Sequence, residues 1–285
     1  MSGIHTNHIA FNYFGGKYSI LEEVYARFPQ PDRFAHLIDL FAGSMAVSLN
    51  YCHPKALIKT ANELDGRVTN FFRVLRNHED RLIELLELTP CSEAEYADCW
   101  AQTGDQIEDA RRFYVRSRMS FYGLGTHRQS KSMHLAKAKA NAHGGEVVSR
   151  VVNGVPKLRE VAKLIRDQYQ IINGSYKACI DRFDCPTVFF YADPPYSKRS
   201  RRSFNDYRFE FSDDDHAELA DRLHCIEGLA MVSGYDCSLM NELYAGWHKT
   251  LLPVKQNHIR TGTVQEVLFT NYEPPVRGGD QHKLF

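Results

Sequence analysis

Thr187-Val188-Phe189-Phe190-Tyr191-Ala192-Asp193-Pro194-Pro195-Tyr196 decides how the rest of the chain is read. The first six residues form its most β-prone run, continuous and apolar, as in a strand buried on both faces of a parallel sheet. Asp193 ends the run and two prolines follow. Neither proline has an N–H to donate and each fixes φ, so they cannot continue a central strand. They make a stiff bend at the carboxyl end of the strand, where open α/β sheets bind their ligands. The bend aims a carboxylate, a proline carbonyl and an aromatic ring at one small volume. Two acceptors can hold both N–H groups of an exocyclic amine on a flat base, and a ring can stack on the base's face. A structural loop with Asp193 as a helix cap is the competing reading of these four residues alone.

Outward from this bend the α/β pattern repeats. Leu37 to Phe41 is a short apolar strand, Ala42-Gly43-Ser44 a tight turn, and Met45 to Tyr51 the start of a helix. Ala56 to Ala61 is a second strand, closed by Asn62-Glu63-Leu64-Asp65. A helix follows over 66–76, with Val68, Phe71, Phe72 and Leu75 at helical spacing. Strands alternating with helices at this pitch indicate a parallel sheet with crossovers. Residues 78–165 change character: helical patterns run over 81–88, 93–101 and 108–122, then comes a Gly/Lys/Ser-rich stretch over 123–145. Pro156 opens a further helix, as proline favours a first turn. The alternation resumes with a strand over 169–172 and a helix over 176–183. Past the bend lie a helix over 213–225, a strand over 229–233, a short helix over 241–245 and a terminal hairpin over 247–252 and 264–270. The expected organisation is an α/β domain from 1–77 and 166–285 with a mainly helical insertion over 78–165.

Other stretches carry weaker signals. Asp39-Leu40-Phe41-Ala42-Gly43-Ser44 places a small residue where backbone must approach a ligand. A carboxylate about 20 residues after a glycine turn suits ribose hydroxyls, and both Glu63 and Asp65 qualify, though either could cap a helix. Tyr13-Phe14-Gly15-Gly16-Lys17-Tyr18 pairs two glycines with an ammonium, as a ligand loop or an ordinary turn would.

Composition narrows the class. Lys and Arg number 35, Asp and Glu 35, so a chain basic throughout is excluded while a local basic patch is not. No apolar stretch approaches the ~20 residues needed to cross a bilayer, and the N-terminus has no secretory pattern. Seven cysteines without a CxxC pair read as reduced cytosolic thiols. The thirteen histidines show no zinc spacing, so no metal is assigned.

Taken in order, these motifs resemble the DNA adenine-N6 methylases of the Dam-like D12 class (alpha group). The resemblance covers nearly the whole chain. Phe-Gly-Gly-Lys-Tyr comes first, then the Phe-x-Gly turn, the acidic strand end, a long insertion and Asp-Pro-Pro-Tyr. Asp206-Tyr207-Arg208-Phe209, Asp213-Asp214-Asp215-His216, Ser233-Gly234-Tyr235-Asp236, 241–247 and 265–269 also look like the family. The resemblance implies a Rossmann-like methyltransferase sheet and S-adenosylmethionine as cofactor. Tyr13, Lys17, Asp39, Phe41, Gly43, Glu63 and Asp193 would then bind the cofactor, with Asp65 competing with Glu63 for the ribose. Asp193, Pro194, Pro195 and Tyr196 would form the catalytic bend. Direct transfer to the amine needs no covalent intermediate, and the adenine must leave the duplex stack. Two departures stand out. Met45 replaces the second glycine of the family's Phe-x-Gly-x-Gly turn, and Ser175 sits where many relatives carry Asp.

The implied partner is double-stranded DNA; a cognate restriction endonuclease stays open, and no membrane is expected. Between Arg111 and Lys139 there are eight basic residues and no acid, interleaved with aromatics. From this span and the run after the bend, Arg116, Arg118, Tyr122, Arg128, Lys131, Lys198, Arg199, Arg201 and Arg202 are the expected DNA contacts. A cytosine-N4 methylase, and a silent DNA-binding protein on a methylase scaffold, are the alternatives. The expected location is the cytoplasm of a bacterium or phage-infected cell.

Overall fold

Strand β4 (Val188–Ala192) is buried along its whole length, as its unbroken apolar run requires. Alternate residues serve two different layers. Val188, Phe190 and Ala192 pack with helices α9 (Tyr176–Phe183), α10 (Asp213–His224) and α11 (Ser238–Leu243). Phe189 and Tyr191 pack with α1 (Leu21–Tyr25), Phe28 and Phe34. The computed structural model describes residues 6–127, 133, 147–197, 208–253 and 265–275, with the backbone alone at Tyr122, Val147, Ser149 and Arg150.

The sheet has seven strands in the order β3-β2-β1-β4-β5-β7-β6. The remaining strands are β1 (His36–Asp39), β2 (Ile58–Glu63), β3 (Tyr169–Asn173), β5 (Leu229–Tyr235), β6 (His248–Leu251) and β7 (Glu266–Thr270). The first five run parallel, and β7 is antiparallel to both β5 and β6. The mostly parallel sheet and its antiparallel terminal hairpin match the expectation. The strand order reverses between β1 and β4, which puts a ligand crevice at their carboxyl ends.

Helices α3 (Gly66–Asn77), α4 (Glu79–Glu87), α5 (Glu93–Asp98), α6 (Gln106–Met119), α7 (Val147–Gly154) and α8 (Leu158–Gln168) lie between β2 and β3. The helical stretch is therefore one long crossover. Its apolar faces merge with Phe11, Met45 and Leu49 of the sheet domain into one continuous cluster. Phe11, Phe71, Phe72 and Phe113 form its centre, with ring centroids 5.0–6.0 Å apart. The sequence reading missed α1 and α7, and placed α11 three residues late.

Candidate active site

The carboxyl ends of β1, β2 and β4 open into a cavity of about 300 Å³. Its wall includes Tyr13, Lys17, Asp39, Phe41, Gly43, Glu63, Asp65, Asp193, Pro194 and Pro195, ten of the expected site residues. They come from four separated stretches of chain. What unites them is the shared edge of the sheet.

Hydrogen bonds lock the ends of β1 and β2 together. The Ala42 N–H donates to the Asn62 carbonyl (3.0 Å), and the Asn62 amide donates to the carbonyls of Leu40 (3.0 Å) and Gly174 (3.1 Å). Glu63 accepts from the N–H of Gly43 (2.8 Å) and of Asp65 (2.9 Å). Gly43 has φ +50°, and a Cβ there would lie 2.7 Å from the Tyr13 ring, so both conformation and space call for glycine. Met45 is also left-handed, at φ +58° and ψ +24°. That conformation explains the glycine in the resembling turn, and here a buried methionine adopts it instead.

Asp193 is the electrostatic centre. Its Oδ1 accepts from the Lys17 ammonium at 2.9 Å and from the Ser233 hydroxyl at 2.5 Å. Lys17 is buried, which alone would push its pKa down; the Asp193 carboxylate, with Glu266 and Tyr191, more than reverses this and holds it charged. The ammonium also lies 4.7 Å over the Tyr196 ring. Burial pushes the Asp39 carboxyl up to about 7 and raises that of Glu63. Asp65 goes the other way: burial raises it, but hydrogen bonds and charge from Arg67 win and hold it below the usual carboxylate range.

Three expected residues are less exposed than their roles suggest. Tyr196 does not line the cavity; its ring is 6% exposed, lies under Lys17 and meets the Tyr235 ring edge-on at 4.5 Å. Stacking on a base therefore requires it to move. Arg116 and Arg118 are buried, at 5% and 6% exposure, and are not displayed on an open face. Arg116 donates to the Cys99 carbonyl, and Arg118 to Asn12 Oδ1 and the Ile9 and Ala10 carbonyls. The acid-free look of their span was misleading as well, because Arg111 and Arg112 pair with Glu95 and Glu108 from outside it. Arg128, Lys131, Lys198, Arg199, Arg201 and Arg202 lie outside the described residues, as does the side chain of Tyr122.

Sequence reasoning missed Ser233 and the wall formed by Tyr176, Phe209 and Phe211. Phe41 meets Tyr176 and Phe211 at 5.5 Å each. Register could have found Ser233: Val232 pairs with Ala192, so the next residue of β5, Ser233, lies beside Asp193, the first residue past the end of β4.

Strand order, crevice and bend together define the α/β fold of the methyltransferases. A family model described as D12 class N6 adenine-specific DNA methyltransferase matches residues 13–259, and the chain belongs to that family. It is 25% identical over 279 residues to the type II methyltransferase M1.LlaDCHI of Lactococcus lactis subsp. cremoris, covering 90% of this chain and 93% of that one. It is 24% identical over 221 residues to the modification methylase StsI of Streptococcus sanguinis, covering 71% of this chain but 30% of that longer protein. Among solved structures, a conserved hypothetical protein of Streptococcus pyogenes matches 90% of this chain and 96% of its own at 9% identity, with a TM-score of 0.32. Family and fold imply S-adenosylmethionine as the methyl donor.

Proposed function

We propose that this protein transfers the methyl group of S-adenosylmethionine to N6 of an adenine extruded from duplex DNA, within a specific sequence. The observation that carries this is one cavity bounded by the Asp193-Pro194-Pro195 bend, by Phe41 and Gly43, and by Glu63. Its chemistry fits the cofactor. Six carboxylates (Asp39, Glu63, Asp65, Asp193, Glu210, Asp215) and two lysines (Lys17, Lys177) line it, a balance that suits a cationic ligand. Glu63 keeps lone pairs for the ribose hydroxyls, whereas Asp65 is engaged by Arg67, which favours Glu63. Tyr13 and Lys17 bind the amino-acid end. When bound, S-adenosylmethionine supplies an electrophilic methyl group.

The amine of adenine is a poor nucleophile because its lone pair is delocalised into the ring. Asp193 Oδ1 is taken by Lys17 and Ser233, which leaves Oδ2 to accept one N–H of that amine. The Pro194 carbonyl accepts the other. Two acceptors out of the ring plane favour a pyramidal, more nucleophilic nitrogen. The bend's main contribution is placement and electrostatic preorganisation. Extrusion costs a few kcal/mol, and stacking on Tyr196, once it has moved, offsets part of this. Lys198, Arg199, Arg201 and Arg202 directly follow the bend and are proposed to grip phosphates beside it. Because the sequence relatives are a type II methyltransferase and a modification methylase, a restriction endonuclease is the partner class to look for.

The test is methyl transfer from labelled S-adenosylmethionine to DNA from a methylation-deficient host. Mass spectrometry should find N6-methyladenine, and long-read sequencing the motif. N4-methylcytosine, or DNA binding without transfer, would replace this reading.

A further inference from the structure

A second cavity, of about 260 Å³, lies against the first and shares Asp65 and Phe209 with it. Four arginines line it: Arg67, Arg112, Arg116 and Arg208. Two of them are neutralised. Arg67 chelates Asp65, and Arg112 pairs with Glu108 at 2.7 Å. The other acid in the wall, Asp109, is turned to Thr103 and Gly104, accepting from both. Arg116 and Arg208 make no ion pair among the described residues.

Arg116 is the informative one. It is buried between Trp100 and Phe113, with its guanidinium 5.2 and 5.9 Å from those rings. Among the described residues its one hydrogen bond runs from Nη1 to the Cys99 carbonyl, and its Nε–H finds no partner there. The nearest opposite charge named for it, Asp65, is already paired with Arg67, and a buried ion with no direct pair of its own is costly unless a ligand brings it an opposite charge. Burial lowers its pKa to about 10 and the like charges of Arg67 and Arg208 act in the same direction, while Cys99 and Asp65 oppose them without cancelling the effect. The first turn of α3 also borders the cavity, through Gly66 and Arg67, and the positive end of the helix dipole favours an anion.

We propose that this cavity is a phosphate-binding site in which Arg116 and Arg208 hold one phosphodiester or free phosphate group beside the catalytic cavity. The assignment rests on the DNA-methylase reading and adds a specific grip to it, reached through a pocket and distinct from an open basic surface. Fork geometry and a weakly hydrated charge suit arginine to this task. The DNA backbone is one source of the group and inorganic phosphate the other.

The test compares wild type with Arg208→Gln and Arg116→Met. Arg208 sits on the surface, so its loss leaves the fold intact; methionine keeps the bulk of Arg116 without its charge. Binding of a labelled duplex is followed by anisotropy against salt, and thermal unfolding is followed with and without inorganic phosphate. If the group comes from DNA, each variant lowers the slope of log affinity on log salt by about 1. If it is free phosphate, phosphate raises the melting temperature of wild type and not of the variants, with the DNA slope unchanged. Arg116→Lys should restore part of either effect. An unchanged slope together with equal response to phosphate in all proteins overturns the proposal. Methyl transfer measured on the same preparations keeps that outcome separate from failure of the methylase reading.

Discussion

Asp193 Oδ1 accepts a hydrogen bond from each of two side chains that lie far apart in the chain, Lys17 and Ser233. Removing the carboxylate with Asp193→Ala should cut the transfer rate by at least ~10²-fold in a folded protein, measured as single-turnover methylation. Ser233 acts through Asp193 as a positioning residue. Ser233→Ala should lower kcat about tenfold, the effect of one charge-assisted hydrogen bond, with little change in KM. Ser233→Thr should recover most of it. A rise in KM alone, or no rescue by threonine, would place Ser233 in a merely structural role. Asp39 carries the pH dependence. Its folded pKa of about 7 lies above its unfolded value, so the folded state holds the proton longer. Its contribution is complete below the unfolded pKa and is lost as pH rises through about 7. Asp39→Asn should therefore gain in melting temperature over wild type as pH rises from about 4 to about 7, and then level off. A pH-independent difference would show that Asp39 ionises normally.

At the scale of elements, the turn before α2 (Ala46–Asn50) balances two terms. A left-handed Met45 costs about 1–2 kcal/mol in backbone strain. Its side chain, 1% exposed, returns more through packing with Phe11, Leu49 and Ala61. Met45→Gly should thus destabilise the protein by about 1–3 kcal/mol in denaturant titration, even though glycine suits the conformation. A stabilised variant would mean that strain outweighs packing. The start of α10 is set by a capping box between Ser212 and Asp215. Ser212→Ala should cost about 1 kcal/mol. Because Phe211 precedes that cap and lines the cavity, cofactor affinity should weaken with it. Ser175, the other departure from the family pattern, caps α9 by accepting from the Ala178 N–H, a task it performs without charge.

For the molecule as a whole, most of the sheet was legible because each parallel strand is a short apolar run ended by turn chemistry. The cavity was legible too, since ligand residues gather where those runs end. Arg116 and Arg118 were not. Their partners are mainly backbone carbonyls of Cys99, Ile9 and Ala10, and a carbonyl leaves no mark in a sequence. The displacement of Tyr196 from the wall had the same cause: it depends on Lys17 and Tyr235, which only the fold brings to it. On the proposed reading, the acidic cavity and the arginine cavity side by side would let a chain of zero net charge hold a cation and a polyanion together.

Strand β7 sits inside the sheet, between β5 and β6, although it is the last strand among the described residues. During synthesis, β5 and β6 leave the ribosome with no neighbour on that side until Glu266–Thr270 emerges. A nascent polypeptide stalled before that point presents two sticky borders at once, a template for clumping with other copies. The borders of β5 and β6 that face each other across the sheet are therefore closed only once Glu266–Thr270 is in place.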